Sequence, residues 1–192
     1  MNFVVARINH TSECAQYHLF DHRQLLLLVA DYGSPWVPAH QLRLARPDGK
    51  AVASLTLPRP MLARLRRQTP NIASYALVIE NAVYAVINKL QPSATNQSDT
   101  PYFIIEVESQ KWLALDEPEQ RGRFALYSAA PPRLAFTPLR QLPLPASIGL
   151  ITPITDDESP FAFTITLEPG RLRHMNLILL SLIFLIDGPQ QN

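Results

Sequence analysis

The most regular feature of the sequence is an alternation of apolar and polar residues over short segments. In the clearest of them, residues 161–167, four apolar residues occupy every second position, with alanine or threonine between them. Successive side chains of a β-strand point to opposite faces, so this period of two predicts strands with one buried face. The segments predicted as strands are 3–8, 16–20, 25–30, 41–44, 54–57, 75–79, 83–88, 103–108, 111–115, 123–128, 133–137 and 161–167.

Turn sequences separate these segments at short intervals. The strongest is Pro47-Asp48-Gly49-Lys50, because proline presets φ, aspartate bonds to its own backbone and glycine accepts a positive φ. Residues 21–24, 80–81 and 109–110 are also predicted as tight hairpin connections. Many short strands at this spacing are typical of an all-β sandwich or barrel.

Three segments break the alternation. Residues 91–101 are polar and aperiodic, which predicts a loop. Residues 140–153 are rich in proline, which predicts an extended cover over a sheet edge rather than a central strand. Residues 60–67 are predicted to form one short helix with Pro60 in its first turn.

The last apolar segment, from Leu172 to Ile186, has no alternation and is predicted as a helix that is apolar on all sides. Its 15 residues would measure about 22 Å, which is less than the roughly 30 Å of a membrane hydrocarbon layer. A tilted or oligomeric membrane span remains the alternative. We favour a buried core helix.

Such a helix must be enclosed by apolar material, and the alternating strands each offer one apolar face. We therefore predict a mainly β fold, a closed antiparallel barrel of about twelve strands wrapped around the C-terminal helix. Gly188 is expected to stop the helix in a left-handed conformation, with Pro189 just beyond it. The residues assigned to the core and end of the helix are Leu177, Leu180, Phe184, Leu185, Ile186 and Asp187.

Composition narrows the class of protein. The chain has 192 residues without a repeat or second core, which predicts one domain over 1–188 and a short tail, 189–192. The formal charge of +1 gives no overall attraction to nucleic acid. A single cysteine, Cys14, excludes a disulfide framework. The first residues lack a signal-peptide pattern, so we expect a cytoplasmic protein.

The residues give no support for catalysis. The chain has no G-x-S-x-G motif and no phosphate-cradling run among its six glycines. Glu106 and Glu108 are predicted to share a strand face about 7 Å apart, a separation that suits the carboxylates of a glycosidase. Alternate glutamates on a solvent-facing strand are far commoner. We predict no enzymatic activity and no cofactor.

A metal site is also not expected. Cys14, His18 and His22 are spaced by four residues, but four residues of a strand cover about 13 Å, whereas ligands share a metal at about 2 Å. We predict that neither these residues nor the acidic run 156–158 holds a metal ion.

We consider arginine and tryptophan side chains as candidates for contact with a ligand. The densest basic cluster consists of Arg59, Arg64, Arg66 and Arg67. Arginine presents a fork that matches phosphate oxygens, although a short basic cluster is usually a solvated loop. Trp36 and Trp112 are expected to pack in the core or against a hairpin rather than to contact a ligand.

The terminal helix, which ends in Phe184-Leu185-Ile186-Asp187, and two strand–turn–strand units resemble the tubby C-terminal-like superfamily. The two units are residues 17–29 and 42–57. The resemblance covers about residues 1–188 and is nearest to phospholipid-scramblase and LURP-one-related proteins. It implies a twelve-stranded barrel that wraps a hydrophobic helix.

The chain departs from eukaryotic scramblases in two respects. The segment 167–171 before the helix carries one carboxylate in place of an acidic, calcium-loop-like stretch, and there is no cysteine cluster for acylation. Calcium binding and acyl anchoring are therefore not carried over.

The resemblance implies a non-catalytic binding or scaffold domain at a membrane surface, with anionic phospholipid or phosphoinositide as its partner. The basic cluster is the candidate contact. Two alternatives stay open. One is a protein-interaction module that uses the segment 140–153, and the other is a scramblase-type lipid transporter, which requires the helix to leave the barrel.

Overall fold

The structure is a computed structural model of the chain. It describes residues 1–11, 13–38, 40–57, 72–91, 101–108, 110–117, 120, 122–128, 146–156, 159, 161–169 and 174–188. The elements of this part are β1 Asn2–His10, β2 Ala15–Asp21, β3 Leu26–Tyr32, β4 Gln41–Ala45, β5 Ala51–Thr56, β6 Ile72–Ile79, β7 Ala82–Leu90, β8 Tyr102–Val107, β9 Gln110–Asp116, β10 Phe124–Ser128, β11 Ser147–Pro153, β12 Phe161–Leu167 and α1 Met175–Asp187.

The twelve strands form one closed antiparallel barrel, which confirms the predicted fold class. Each strand pairs with its neighbours in sequence, and β1 pairs with β12 to close the ring. Along β8, Phe103, Ile105 and Val107 are buried while the residues between them are partly exposed, as the alternation predicts. Closure pairs both sides of every strand, so the barrel has no free sheet edge.

Helix α1 fills the barrel. Every residue from 177 to 185 is buried, and the one polar residue among them, Ser181, donates its hydroxyl to the carbonyl of Leu177 at 2.8 Å. A buried hydroxyl with a partner avoids the cost of an unsatisfied polar group. The predicted burial of Leu177, Leu180, Phe184 and Leu185 is confirmed. Ile186 and Asp187 are partly exposed at the end of the helix.

The helix bounds differ from the prediction. His174 has a φ of 62°, outside the range of a right-handed helix, so α1 begins at Met175 rather than at Leu172. Gly188 has a φ of −66° and a ψ of 170°, which is extended rather than left-handed. Its N–H still closes the helix by donating to the carbonyl of Phe184 at 2.7 Å.

The two open ends of the barrel are named here after the helix. The N-terminal mouth is the end where α1 begins, and the hairpin turns after β2, β4 and β6 lie at this end because the strands alternate in direction. The C-terminal mouth is the end where α1 stops. It includes the end of β1, the start of β2 and the end of β7.

The interpretation of 140–153 as a cover over a sheet edge is wrong for residues 147–153. These residues form β11, which pairs with both β10 and β12. Pro153 is tolerated because it is the last residue of the strand. A Cβ on Gly149 would lie 2.3 Å from Cδ2 of Leu167 and 3.0 Å from the carbonyl oxygen of Thr166, so a larger residue here would force the Leu167 side chain to shift. The predicted helix 60–67 and the predicted strand 133–137 lie outside the described residues, as do residues 92–100, 140–145 and 189–192.

Candidate functional site

A groove of about 880 Å³ crosses the outer wall of the barrel at β3–β6. It continues around the N-terminal mouth to His174, Asn176 and Leu177 at the start of α1. Its walls therefore combine strand side chains that point away from the core with the first turn of the central helix. The outer-wall residues that line it include Leu27, Gln41, Arg43, Val52, Ser54 and Val78.

The β4–β5 turn carries two of the three positive charges of the groove, Arg46 and Lys50, and its local sequence explains its shape. Gly49 has a φ of 81° and its N–H donates to the carbonyl of Arg46 at 2.9 Å. The carboxylate of Asp48 accepts the N–H of Lys50 at 2.9 Å. The turn thus forms as the sequence predicts, and the guanidinium of Arg43 donates to the carbonyl of Gly49.

The lining of the groove is cationic on balance. Arg43, Arg46 and Lys50 contribute three positive charges and Glu80 contributes one negative charge. Arg46 and Lys50 are exposed, and neither takes part in any of the ion pairs found among the described residues. These two charges are therefore available to an anion from solution.

Trp36 lines the groove from the β3–β4 connection and is 86% exposed. Hydrogen bonds on either side of Trp36 hold this connection in place. Ser34 donates its hydroxyl to Asp31 at 2.9 Å, and the backbone N–H of Val37 donates to the carbonyl of Ser34 at 3.0 Å. The side chain of Val37 is buried. A large indole is thus presented to solvent on an anchored turn.

The expectation that both tryptophans pack in the core or against a hairpin is wrong for Trp36, which is 86% exposed, and correct for Trp112. Trp112 lies on β9 and is 2% exposed, because its side chain is part of the apolar core. Trp36 lies instead between two prolines, Pro35 and Pro38, in a connection that contributes no strand face. The two flanking prolines were the available sequence signal for a rigid, exposed aromatic residue.

A cluster of polar contacts, here called the clasp, holds the end of α1 at the C-terminal mouth. The carboxylate of Asp187 accepts hydrogen bonds from Arg7, through Nε at 2.9 Å and a second guanidinium nitrogen, and from the Tyr17 hydroxyl at 2.9 Å. His10 Nε2 lies 2.7 Å from the Asp187 carbonyl oxygen. Lys89 Nζ donates to the Leu185 carbonyl at 3.0 Å. Cations at a helix C-terminus also interact favourably with the helix dipole.

Burial alters the titration of two groups in the clasp. Burial and then the negative charge of Asp187 raise the pKa of Tyr17 above its usual range, so that the phenol stays protonated and donates to the carboxylate. Burial lowers the pKa of Lys89, because a charged amine is disfavoured in an apolar environment.

The structure describes only some of the other candidate residues. Arg59, Arg64, Arg66 and Arg67 lie outside the described residues, as do Asp157 and Glu158. The Sγ atom of Cys14 lies 3.2 Å from the Thr11 hydroxyl oxygen. His18 lies on β2, where burial lowers its pKa, and His22 lies in the following turn. In the part of the chain that the structure describes, no three His, Cys, Asp or Glu side chains group around a metal position.

The predicted pairing of Glu106 and Glu108 on one strand face is wrong. β8 ends at Val107, and Glu108 turns the chain with a φ of 52°. Glu106 instead forms an ion pair with Lys111 of β9 at 3.2 Å. The two glutamates therefore do not form a carboxylate pair on a common face.

Two further findings bear on classification. Among the described residues, no helix is both long and apolar enough to cross a membrane. No protein-family model, curated protein or solved structure matches the chain.

Proposed function

We propose that the protein is a non-catalytic binding domain that associates with anionic phospholipid at a membrane surface through the groove. The observation that carries this proposal is the joint presence of an exposed tryptophan, two unpaired exposed cations and apolar strand side chains in one groove. Tryptophan favours the boundary between water and lipid because its ring is apolar and its N–H is polar. Arginine and lysine attract the phosphates of an anionic leaflet.

We include the basic cluster in the proposed membrane contact because it follows the groove residues closely in the sequence. Arg59 follows two residues after Leu57, whose N–H donates to the carbonyl of His40 at 2.8 Å in the connection that carries Trp36. We also propose a cytoplasmic location at the periphery of a membrane. We further propose that the domain is related to LURP-one-related and scramblase-like domains.

The expected affinity is modest. A cation near an anionic membrane contributes on the order of 1 kcal/mol, and salt screens this attraction beyond about 10 Å at 0.1 M. Arg46 and Lys50 together would then account for about 2 kcal/mol, or about 30-fold in membrane partitioning. Burial of the Trp36 ring adds a part that does not depend on salt.

Vesicle flotation tests the proposal with variants matched in charge. Lys50→Gln should weaken binding to phosphatidylserine-containing vesicles about fivefold, and the double variant with Arg46→Gln about 30-fold. Lys111→Gln is the control. It removes the same charge from a side chain that is 58% exposed but paired with Glu106 on β8. It should leave binding nearly unchanged.

Three results would contradict the proposal. Equal binding to phosphatidylcholine vesicles would exclude a requirement for anionic lipid, and full binding by the double variant would exclude the groove. If Lys111→Gln weakened vesicle binding as much as Lys50→Gln does, binding would depend on the net charge of the protein and not on the groove. A separate variant, with Arg64, Arg66 and Arg67 replaced by Gln, tests the basic cluster, and we expect weaker flotation at an unchanged melting temperature.

A further inference from the structure

Lys89 occupies an unusual position for a lysine. It lies near the end of β7, two residues after Ile87 and four after Ala85, both of which are buried against the core. Because side chains alternate along a strand, Lys89 belongs to the same inward face. It reaches the C-terminal mouth, where it is partly exposed rather than enclosed.

The amine of Lys89 has neutral partners. It donates to the Leu185 carbonyl at 3.0 Å and lies 5.9 Å from the centre of the Phe103 ring. The carboxylate of Asp187, at the end of α1, is bonded to Arg7 and Tyr17. β1 and β7 are six strands apart in either direction around the barrel, so Arg7 and Lys89 approach the end of α1 from opposite walls. No ion pair among the described residues includes Lys89.

The other two lysines of the chain differ in environment. Lys50 is exposed on the β4–β5 turn, and Lys111 is exposed and paired with Glu106. Only the unprotonated amine is a nucleophile, and lysines with apolar surroundings are the ones that form covalent adducts in enzymes. Burial lowers the pKa of Lys89, which increases its unprotonated fraction at neutral pH.

We infer that Lys89 is a modification site, the lysine of this protein that reacts most readily with acyl thioesters. The inference is independent of the proposed lipid-binding function, because Lys89 is not among the described residues that line the groove. The lone pair of the neutral amine attacks the thioester carbonyl carbon and forms a C–N bond. The C–S bond breaks, the sulfur leaves with its electron pair as a thiolate, and the extra amine proton passes to water.

The product would change the clasp without abolishing it. An acylated Lys89 keeps one N–H that can donate to the Leu185 carbonyl, but it has no positive charge. The C-terminus of α1 would lose one of the cations that complement its dipole. It would gain an acyl group at the rim of an apolar interior.

Site-resolved acetylation of the intact folded protein tests the inference. The protein is incubated with acetyl-coenzyme A between pH 7 and pH 9, and the acetylation rate at Lys50, Lys89 and Lys111 is measured by peptide mass spectrometry. The same rates in the urea-unfolded chain give the intrinsic reactivity of each position. Each unit by which the pKa of an amine falls increases its unprotonated fraction by about tenfold near neutral pH.

We expect folding to increase the rate at Lys89 severalfold at pH 7.5, with the largest gain at the lowest pH. Folding should leave the rate at Lys50 nearly unchanged and lower the rate at Lys111, because contact with Glu106 restricts access to its amine. A folded-to-unfolded rate ratio at Lys89 equal to or below that at Lys50 would overturn the inference. The Lys89→Arg variant keeps a cation and a donor at this position. It should fold normally and lose only this acetylation site, which confirms the peptide assignment.

Discussion

The two mouths of the barrel hold the same helix in different ways. At the C-terminal mouth, Arg7, His10, Tyr17 and Lys89 surround the end of α1 with hydrogen bonds and charge. At the N-terminal mouth, His174 makes no side-chain capping hydrogen bond among the described residues, and its ring packs edge-on against Tyr84 at 5.4 Å.

The difference separates two roles. Polar contacts with defined directions fix the depth and rotation of the helix at the clasp. The opposite end of the helix is left to form a wall of the groove, where side chains are available to a ligand. We therefore expect substitutions at the clasp to change stability, and substitutions at the groove to change binding.

The largest effect should come from the buried centre of the helix, between the two mouths. Leu180 has no exposed surface, and Leu180→Asp would place an unpaired carboxylate in an apolar core at a cost above about 4 kcal/mol. We expect insoluble or molten protein, measured by near-UV circular dichroism and gel filtration. Leu177→Asp and Leu185→Asp should behave alike, whereas Leu180→Met should cost less than about 1.5 kcal/mol. A helix that accepts aspartate on one side would contradict its enclosure.

The next largest effect is expected from substitutions that compare the C-terminal and N-terminal ends of α1 directly. Asp187→Ala leaves the part-buried Tyr17 hydroxyl and Arg7 without their carboxylate, and we expect the free energy of unfolding to fall by about 2 kcal/mol. Arg7 is partly exposed, so solvent limits the loss. Asn176→Ala removes the hydrogen bond that Asn176 Oδ1 accepts from the N–H of Leu177 and should cost about 1 kcal/mol or less. Urea denaturation measures both, and an equal or larger loss at Asn176 would invalidate the comparison.

A smaller effect should appear at high pH. The pKa of Tyr17 is raised in the folded protein, so above about pH 10 the unfolded chain releases a phenolic proton that the folded chain keeps. This tyrosine therefore lowers stability by about 1.4 kcal/mol for each pH unit above that point, while below it the stabilising contribution is fully present. Tyr17→Phe should make the alkaline decline of the urea midpoint shallower. A slope unchanged by the substitution would mean that Tyr17 titrates normally.

The smallest stability effect should occur at the groove. Trp36 is exposed, so Trp36→Ala should change the free energy of unfolding by less than about 0.5 kcal/mol. Its flotation with anionic vesicles should nevertheless fall. Trp112→Phe should show the opposite pattern, with lower stability and unchanged flotation, because Trp112 is buried on β9. A large loss of stability in Trp36→Ala would show that its ring supports the fold.

Much of the architecture could be predicted because it depends on local patterns. The period of two along β8 and β12 identifies one buried face per strand, and the all-round apolar segment 172–186 requires an enclosing wall. The Asp48-Gly49 turn follows from backbone preferences of those two residues. β11 was missed because Gly149 and Pro153 weaken the apolar alternation, and the close approach of Leu167 and Thr166 to Gly149 depends on the packed structure.

The clasp and the groove could not be predicted, for a different reason. Arg7 and Asp187 are 180 residues apart in sequence, and their contact depends on the closure of β1 against β12 and on the depth of the helix. Likewise, Trp36 and Lys50 come to line one groove through the pairing of β3, β4 and β5. Such contacts follow from strand register, which a list of alternating segments does not specify.

Amide hydrogen exchange with and without phosphatidylserine-containing vesicles tests most directly the claim that the two mouths differ in role. Without lipid, the amides at the end of α1 should exchange more slowly than those of its first turn, because the clasp opposes fraying. With anionic vesicles, protection should increase over residues 46–54 and 174–177, and should not change over 7–10 or 185–188. Protection that appears over 7–10 or 185–188, or is the same with phosphatidylcholine vesicles, would contradict the account.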